Sequence, residues 1–230
     1  MDIHTYFTQL DQSYSKHANE EDAFFMAKYL KNHFSFYGLK RPLRYEISKA
    51  HIETHGMPEG EELVQLCHLC FEAEKRELQY FVNDLVRPLV KKLDPSFMST
   101  IHELIPKKSW WDTIDFLSPK LAGPLVKNDA DLLKEWTSRW IHSDNFWYQR
   151  SAILLQLDYK QATDKDLLYQ LILQKADSKE FFVQKAGGWA LRNYTRIDAK
   201  SVIDFVNNNE LPKLTAREGL KWLKNKGLLD

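Results

Sequence analysis

The feature that most constrains the fold is a recurrence of similar windows along the chain. Gln79, Gln149 and Gln184 lie in windows that share an aromatic residue, a glutamine and small apolar residues, in whole or in part. These glutamines are separated by 70 and then by 35 residues. Such self-similarity at a fixed period indicates that one structural unit is repeated along the chain.

The windows between chain breakers have the length and periodicity of helices. Breakers such as Gly, Pro and Asp leave windows of about 12 to 20 residues, which is the usual helix length, and no window alternates as a strand does. A period near 35 residues with two helices per unit is typical of HEAT-like repeats. The sequence therefore predicts an all-α fold, a HEAT-like helical repeat solenoid (an α–α superhelix) with a concave groove, over one domain of residues 1-230.

Charge is balanced overall but uneven along the chain. The formal net charge is zero, from 32 basic and 32 acidic residues, which excludes a uniformly basic nucleic-acid-binding protein. Residues 184–226, however, carry nine Lys and Arg against four Asp and Glu, a net charge of +5. This segment, which includes Lys185 and Arg192, predicts a locally basic face.

The two cysteines are spaced as in a redox or metal pair, but their surroundings favour a structural role. Cys67 and Cys70 share the apolar stripe of a predicted helix with Leu63 and Leu66, and the chain has no other cysteine. We predict structural thiols, no metal site and no cofactor. Without a signal peptide or an apolar run of membrane length, we expect a protein of the reducing cytoplasm with no membrane partner.

The stretch KSWWDTID, residues 108–115, combines aromatic rings with carboxylates. Asp115 follows Trp111 by four residues, so both project from one helical face, whereas Trp110 and Ile114 share the neighbouring stripe. We predict that Trp110 points into the core and that Trp111 and Asp115 point into the groove. The alternative is that Asp115 is a solvated or capping carboxylate and Trp111 a packed ring.

Arg150 belongs to the corresponding helix of the next unit, for which Ser143 or Asp144 is the predicted N-cap. A guanidinium near a helix start suits a phosphate, and an ion pair with a neighbouring acid is the open alternative. The repeat also places Trp189 on a neighbouring helix of the same groove.

Trp189 follows two glycines inside a predicted helix, Gly187 and Gly188. Each costs roughly 1 kcal/mol of helix stability relative to alanine. Either close packing between helices or close approach of a ligand to the backbone explains such a pair.

Together these residues suit a ligand that is cationic at one point and polyanionic elsewhere. Aromatic faces attract positive charge, and a carboxylate beside them adds a negative charge. Basic residues around the rim favour an anionic polymer. DNA that carries a purine alkylated at N3 or N7 has both properties, and the charge makes the base a good leaving group.

The sequence resembles the bacterial AlkD family of alkylpurine DNA glycosylases, which are HEAT-like repeat proteins of DNA alkylation repair. The similarity runs over essentially the whole chain and is carried by five blocks: MAKYLKNHFSFYGLKRPLR (26–44), KSWWDTID (108–115), WIHSDNFWYQRSAILLQLDYK (140–160), SKEFFVQKAGGWALRNY (178–194) and NNELPKLTAREGLK (208–221).

The resemblance implies base excision repair, with cationic N3- and N7-alkylated purines excised from double-stranded DNA without the base being drawn into a pocket. It matches the catalytic aspartate to Asp115 and the two groove tryptophans to Trp111 and Trp189. It matches the tyrosine of the lesion cleft to Tyr29, and the arginine that supports the DNA backbone to Arg150.

Further backbone contacts are expected at Arg192, one turn after Trp189, and in the run KRPLRYE. That run departs from the family: Arg41 stands in place of a threonine and Tyr45 in place of an arginine, while Arg44 is kept. AGGWAL also has an extra glycine, which we expect to loosen the helix that carries Trp189.

The hypothesis that follows is a monomeric, monofunctional alkylpurine DNA N-glycosylase that needs no metal and no cofactor. Two alternatives remain open: a DNA-binding repeat protein without catalysis, and a HEAT-type scaffold for protein interaction. The scaffold predicts an apolar or acidic groove, and not one lined by arginine and tryptophan.

Overall fold

The computed structural model describes residues 2–229, and within this range the secondary structure is helical. Apart from helices, the described residues form one isolated parallel bridge, between Ser35 and Lys75. The predicted all-α class is therefore confirmed, and the succession of short helices is consistent with a helical repeat solenoid. No described helix is both long and apolar enough to cross a membrane.

The chain groups into two compact units, the first ending at Leu89 and the second beginning at Val90. The expectation of one domain over residues 1-230 stays a prediction. The helices of the first unit are α1 (Ile3–Lys16), α2 (Glu20–Tyr29), α3 (Arg41–His55), α4 (Gly60–Glu72) and α5 (Arg76–Val86).

The second unit carries most of the predicted site residues. Its elements are α6 (Phe97–Leu104), α7 (Trp111–Phe116), a π-helix (Leu117–Ala122), α8 (Gly123–Val126), α9 (Ala130–Ile141), α10 (Phe146–Leu154), a 3₁₀ turn (Lys160–Ala162), α11 (Lys165–Leu173), α12 (Phe181–Tyr194), α13 (Ala199–Asn208) and α14 (Lys213–Asn225). Within this unit α10 packs on α7 and the π-helix, α12 packs on α10, and α14 packs on α12.

The recurrent glutamines have one structural role in all three windows. Each side-chain amide donates a hydrogen bond to the backbone carbonyl six residues earlier, in the loop that leads into its helix. The pairs are Gln79–Ala73 at 3.1 Å, Gln149–Ser143 at 2.7 Å and Gln184–Ser178 at 2.8 Å. The repeat in the sequence therefore marks the same loop-to-helix junction each time.

Short polar residues begin several helices by accepting a backbone N–H at the N-cap. Asp129, Asp164 and Asp198 do so for α9, α11 and α13. For α10 the N-cap is Asn145, whose side chain accepts from the N–H of Trp147 at 2.9 Å. The prediction that Ser143 or Asp144 is the N-cap of this helix was wrong, because these residues lie two and one positions before Asn145.

The cysteines lie in the core of the first unit. Cys67 and Cys70 are both fully buried on α4, with Leu63 and Leu66 beside them. Burial raises the pKa of the Cys67 thiol to about 12 and that of Cys70 well above its ordinary value, so both stay protonated. The predicted structural role of the thiols fits this burial.

Close packing of α12 on α14 requires Gly188. A Cβ atom there would lie 2.5 Å from the Cβ of Glu218 and 3.0 Å from the carbonyl oxygen of Thr215. The helix runs without interruption from Phe181 to Tyr194. Of the two explanations for the glycine pair, close helix packing is the one that the structure contains.

We expect Gly188→Ala to lower the free energy of unfolding by about 1 to 2 kcal/mol in urea denaturation. Overpacking of this kind outweighs the gain in helix propensity of roughly 1 kcal/mol. Gly187→Ala is the matched control and should cost less, because its Cβ would meet first the side-chain methyl of Thr215, at 3.0 Å. A Gly188→Ala protein at least as stable as the wild type would contradict this packing.

Candidate active site

A bidentate ion pair between Asp115 and Arg150 lies at the centre of the candidate site. Asp115 is on α7 and Arg150 is on α10, the helix packed against it. Arg150 Nε donates to Asp115 Oδ1 and Arg150 Nη2 donates to Asp115 Oδ2, both at 2.8 Å. A third donor, Arg150 Nη1, bonds the backbone carbonyl of Phe182 on α12 at 2.7 Å. The guanidinium therefore joins three helices.

The two ends of this ion pair differ in exposure. The side chain of Arg150 is 5% exposed, and that of Asp115 is 20% exposed. The guanidinium side of the pair is therefore the more deeply buried one, and the aspartate side chain keeps partial exposure.

The environment of Asp115 raises the pKa of its carboxyl group. Burial raises the pKa of this carboxyl, the charge and hydrogen bonds of Arg150 act in the opposite direction, and the charge of Asp112 raises it further. The net effect is a pKa above the ordinary value for an aspartate. A desolvated carboxylate of this kind interacts strongly with a nearby positive charge, because the local dielectric screens it weakly.

Two hypotheses were left open for Arg150, a phosphate contact and an ion pair with an acid. The structure contains the ion pair. Three of the five N–H donors of its guanidinium are already bonded to protein acceptors. The bonds of these donors hold Arg150 against Asp115. The expected contact of Arg150 with the DNA backbone stays a prediction.

An aromatic cluster surrounds the ion pair. The ring of Trp110 lies 5.8 Å from that of Trp147 and 5.0 Å from that of Phe182, and the last two rings are 4.9 Å apart. The Arg150 guanidinium carbon lies 5.9 Å from the Phe182 ring centroid. The cluster shields the guanidinium from water. Trp110 packs against protein rings, but it is half-buried like Trp111, so the predicted contrast between a core Trp110 and a groove Trp111 stays a prediction.

The two tryptophans predicted to face the groove keep partial exposure. Trp111 is the first residue of α7 and is half-buried, whereas Ile114 on the same helix is fully buried. Trp189 is half-buried on α12, seven residues after Phe182, so the two project from one face of that helix. Partial exposure leaves both indole rings accessible to a ligand.

Lys185 and Arg192, expected at the DNA backbone, share an acidic partner on α14. Lys185 Nζ lies 3.1 Å from Glu218 Oε2, and Arg192 Nη1 donates to the same oxygen at 2.6 Å. Burial acts to raise the pKa of Glu218, but these two hydrogen bonds and the cationic charges outweigh it and the pKa is lowered. Part of the positive charge predicted for this face is therefore offset by Glu218.

The three residues of the first unit that are expected to contact DNA differ sharply in exposure. Tyr29, the last residue of α2, is 73% exposed, and Arg41, the first of α3, is also exposed. Arg44 is buried; its guanidinium bonds Asp84 at 3.1 and 3.3 Å and lies over the Tyr80 ring at 4.9 Å. Arg41 is thus available to a phosphate, whereas Arg44 is engaged inside its unit.

Sequence reasoning missed three groups that complete this site: the Phe182 carbonyl, the Trp147 ring and the Glu218 carboxylate. A backbone carbonyl that accepts a hydrogen bond cannot be recognised from the identity of its residue. Trp147 and Phe182 stand within blocks that carried the resemblance, close to the recurrent glutamines, and that position was the available signal. For the residues that the structure describes, no group of three or more His, Cys, Asp or Glu could hold a metal ion.

Comparison with known proteins identifies a family for this chain. The family model described as DNA alkylation repair enzyme matches residues 10–223. A solved structure, described as a predicted DNA alkylation repair enzyme from Enterococcus faecalis, is 32% identical and superposes with a TM-score of 0.83, covering 90% of this chain and 96% of that chain. Among curated proteins, none matches significantly. The family model covers nearly all of the chain, which therefore belongs to the DNA alkylation repair enzyme family.

Proposed function

We propose that the protein is a monofunctional DNA glycosylase that hydrolyses the N-glycosidic bond of cationic N3- and N7-alkylated purines in duplex DNA. Its substrates are 7-methylguanine and 3-methyladenine. The observation that carries the proposal is the ion pair between Asp115 and Arg150, in which the Asp115 side chain keeps 20% exposure. The half-buried Trp111 lies on the same helix. The family supports a DNA repair role for the chain.

The chemistry needs a negative charge and no general acid. An alkylated purine already carries a positive charge, so it leaves as a neutral base when its bond to C1′ breaks. Positive charge then develops on the deoxyribose as an oxocarbenium ion. Asp115 stabilises that charge and orients the water whose oxygen bonds C1′, and the proton passes to Asp115 or to solvent. The products are the free base and an abasic site.

The base does not need to enter a pocket in this reaction. Three cavities of the described residues have volumes of about 320, 530 and 440 Å³, and Asp115 lines none of these three. Trp111 and Trp189 contact the deoxyribose and backbone at the lesion and favour its cationic state, and the exposed Tyr29 also contacts the DNA. The enzyme acts as a monomer on nucleoid DNA in the cytoplasm, without a cofactor.

Replacement of Asp115 tests the proposal itself. Asp115→Asn keeps the shape but removes the charge, so we expect release of 7-methylguanine from methylated duplex DNA to fall by roughly 10² to 10⁴-fold. Asp112→Asn, three residues away on α7, is the matched control and should retain activity. If the wild type releases no alkylated purine, the glycosylase is excluded; if Asp115→Asn releases it at the wild-type rate, the role of Asp115 is excluded.

The pH dependence tests the ion pair. Asp115 acts in its ionised form, so the single-turnover rate should fall as pH drops through its raised pKa. Arg150 lowers that pKa, so Arg150→Gln should raise it and move the acidic limb of the rate profile to higher pH. Circular dichroism checks that the variant is folded. An acidic limb at the wild-type pH in folded Arg150→Gln would contradict the role assigned to Arg150.

Binding to undamaged duplex separates the remaining alternatives. We propose that exposed Arg41, with Lys185 and Arg192 once DNA competes for them, binds phosphates, so affinity should fall with salt. Arg41→Gln should reduce the slope of log K against log salt by about one, whereas Arg44→Gln should mainly destabilise the fold because Asp84 loses its partner. Salt-dependent binding without base release would leave a non-catalytic DNA-binding protein, and no binding would leave the scaffold.

A further inference from the structure

The π-helix that follows α7 is bonded to the backbone of α10 at a point next to Arg150. Ser118 is fully buried, and its hydroxyl donates to the backbone carbonyl of Ser151 at 2.6 Å. Ser118 lies three residues after Asp115, and Ser151 directly follows Arg150. The two helices that supply the ion pair are therefore bonded a second time, about one helical turn away.

The carbonyl of Ser151 can accept the Ser118 hydroxyl because the last turn of α10 has a three-residue hydrogen bond in place of a four-residue one. The N–H of Leu155 bonds the carbonyl of Ala152, three residues back, at 3.4 Å. In a continuing α-helix that N–H would bond Ser151, four residues back. The Ser118 hydroxyl supplies the donor that a buried carbonyl requires.

Two further contacts hold the same crossing. A Cβ atom on Gly123 would lie 2.5 Å from the carbonyl oxygen of Leu155, so only glycine allows this approach of the backbones. The hydroxyl of Tyr159 donates to the carbonyl of Gly123 at 2.6 Å. These two contacts and the Ser118 bond together set the position of α10 against the segment that follows α7, and the Ser118 bond is the one next to Arg150.

We infer that Ser118 is a positioning residue for the proposed reaction: its bond to the Ser151 carbonyl fixes Arg150 against Asp115 and so keeps both carboxylate oxygens bound. The inference rests on the proposed glycosylase function. Two parallel hydrogen bonds tolerate little displacement, and a functional group displaced by about 1 Å loses much of its effect on rate. Without the hydroxyl, the buried Ser151 carbonyl lacks its donor. Helix α10 then shifts toward another donor, and Arg150 moves with it.

The test is single-turnover release of 7-methylguanine over a range of pH by Ser118→Ala and Ser118→Cys. We expect Ser118→Ala to lower the rate by roughly 10- to 100-fold, to move the acidic limb to higher pH, and to leave KM for duplex DNA nearly unchanged. Ser118→Cys keeps the size of the side chain but donates weakly, so it should lie between Ser118→Ala and the wild type, and it carries the test if Ser118→Ala does not fold.

The matched control is Thr137→Ala, because the buried hydroxyl of Thr137 bonds the Leu133 carbonyl within its own helix, α9, at 2.7 Å. It should lower stability to a similar degree while the rate and the acidic limb stay as in the wild type. The inference is overturned if folded Ser118→Ala or Ser118→Cys keeps the wild-type rate and acidic limb, or if Thr137→Ala shifts them as strongly. An inactive wild type would instead refute the proposed function.

Discussion

The buried ion pair between Asp115 and Arg150 is the interaction on which the rest of the site depends. Moving both ions out of water costs several kcal/mol for each, and their attraction offsets this only when geometry is close to ideal and other donors are bonded. The geometry is met by two N–H···O bonds of 2.8 Å, and a third donor bonds the Phe182 carbonyl at 2.7 Å. Such a pair adds little net stability. Its clearest effect is on Asp115, because Arg150 opposes the rise in pKa that burial causes.

The surrounding helices make that geometry rigid. Helix α10 is bonded to the π-helix through Ser118 and to α12 through the Phe182 carbonyl. Helix α12 in turn packs closely on α14, where Gly188 allows the approach and Glu218 binds Lys185 and Arg192. The positions of these helices are thus set by specific contacts and not by apolar packing alone. The same Glu218 pairs with two of the cations of a face expected to bind DNA.

The sequence predicted the fold class and the placement of Asp115, Arg150 and Trp189 on neighbouring helices, because both depend on periodicity. The spacing of glutamines marked a repeated loop-to-helix junction, and the four-residue spacing of Trp111 and Asp115 placed them on one face of α7. The partner of Arg150 could not be predicted, since a guanidinium near a helix start suits a phosphate and a carboxylate equally well. Residue identity likewise does not show that Arg44 is buried against Asp84, or that a backbone carbonyl receives the third donor of Arg150. The roles of Trp111, Trp189 and Tyr29 at DNA stay predictions.

The measurement that tests the central claim most directly is a titration of the Asp115 carboxyl itself. The ¹³C chemical shift of this carboxyl, followed by NMR over pH, can be set beside the single-turnover rate of base release by the same protein. The account predicts one transition in both, at a pH above the ordinary range of an aspartate, because burial outweighs the opposing effect of Arg150. A rate that stays constant while Asp115 takes up its proton, or that falls at a clearly different pH, would contradict the account.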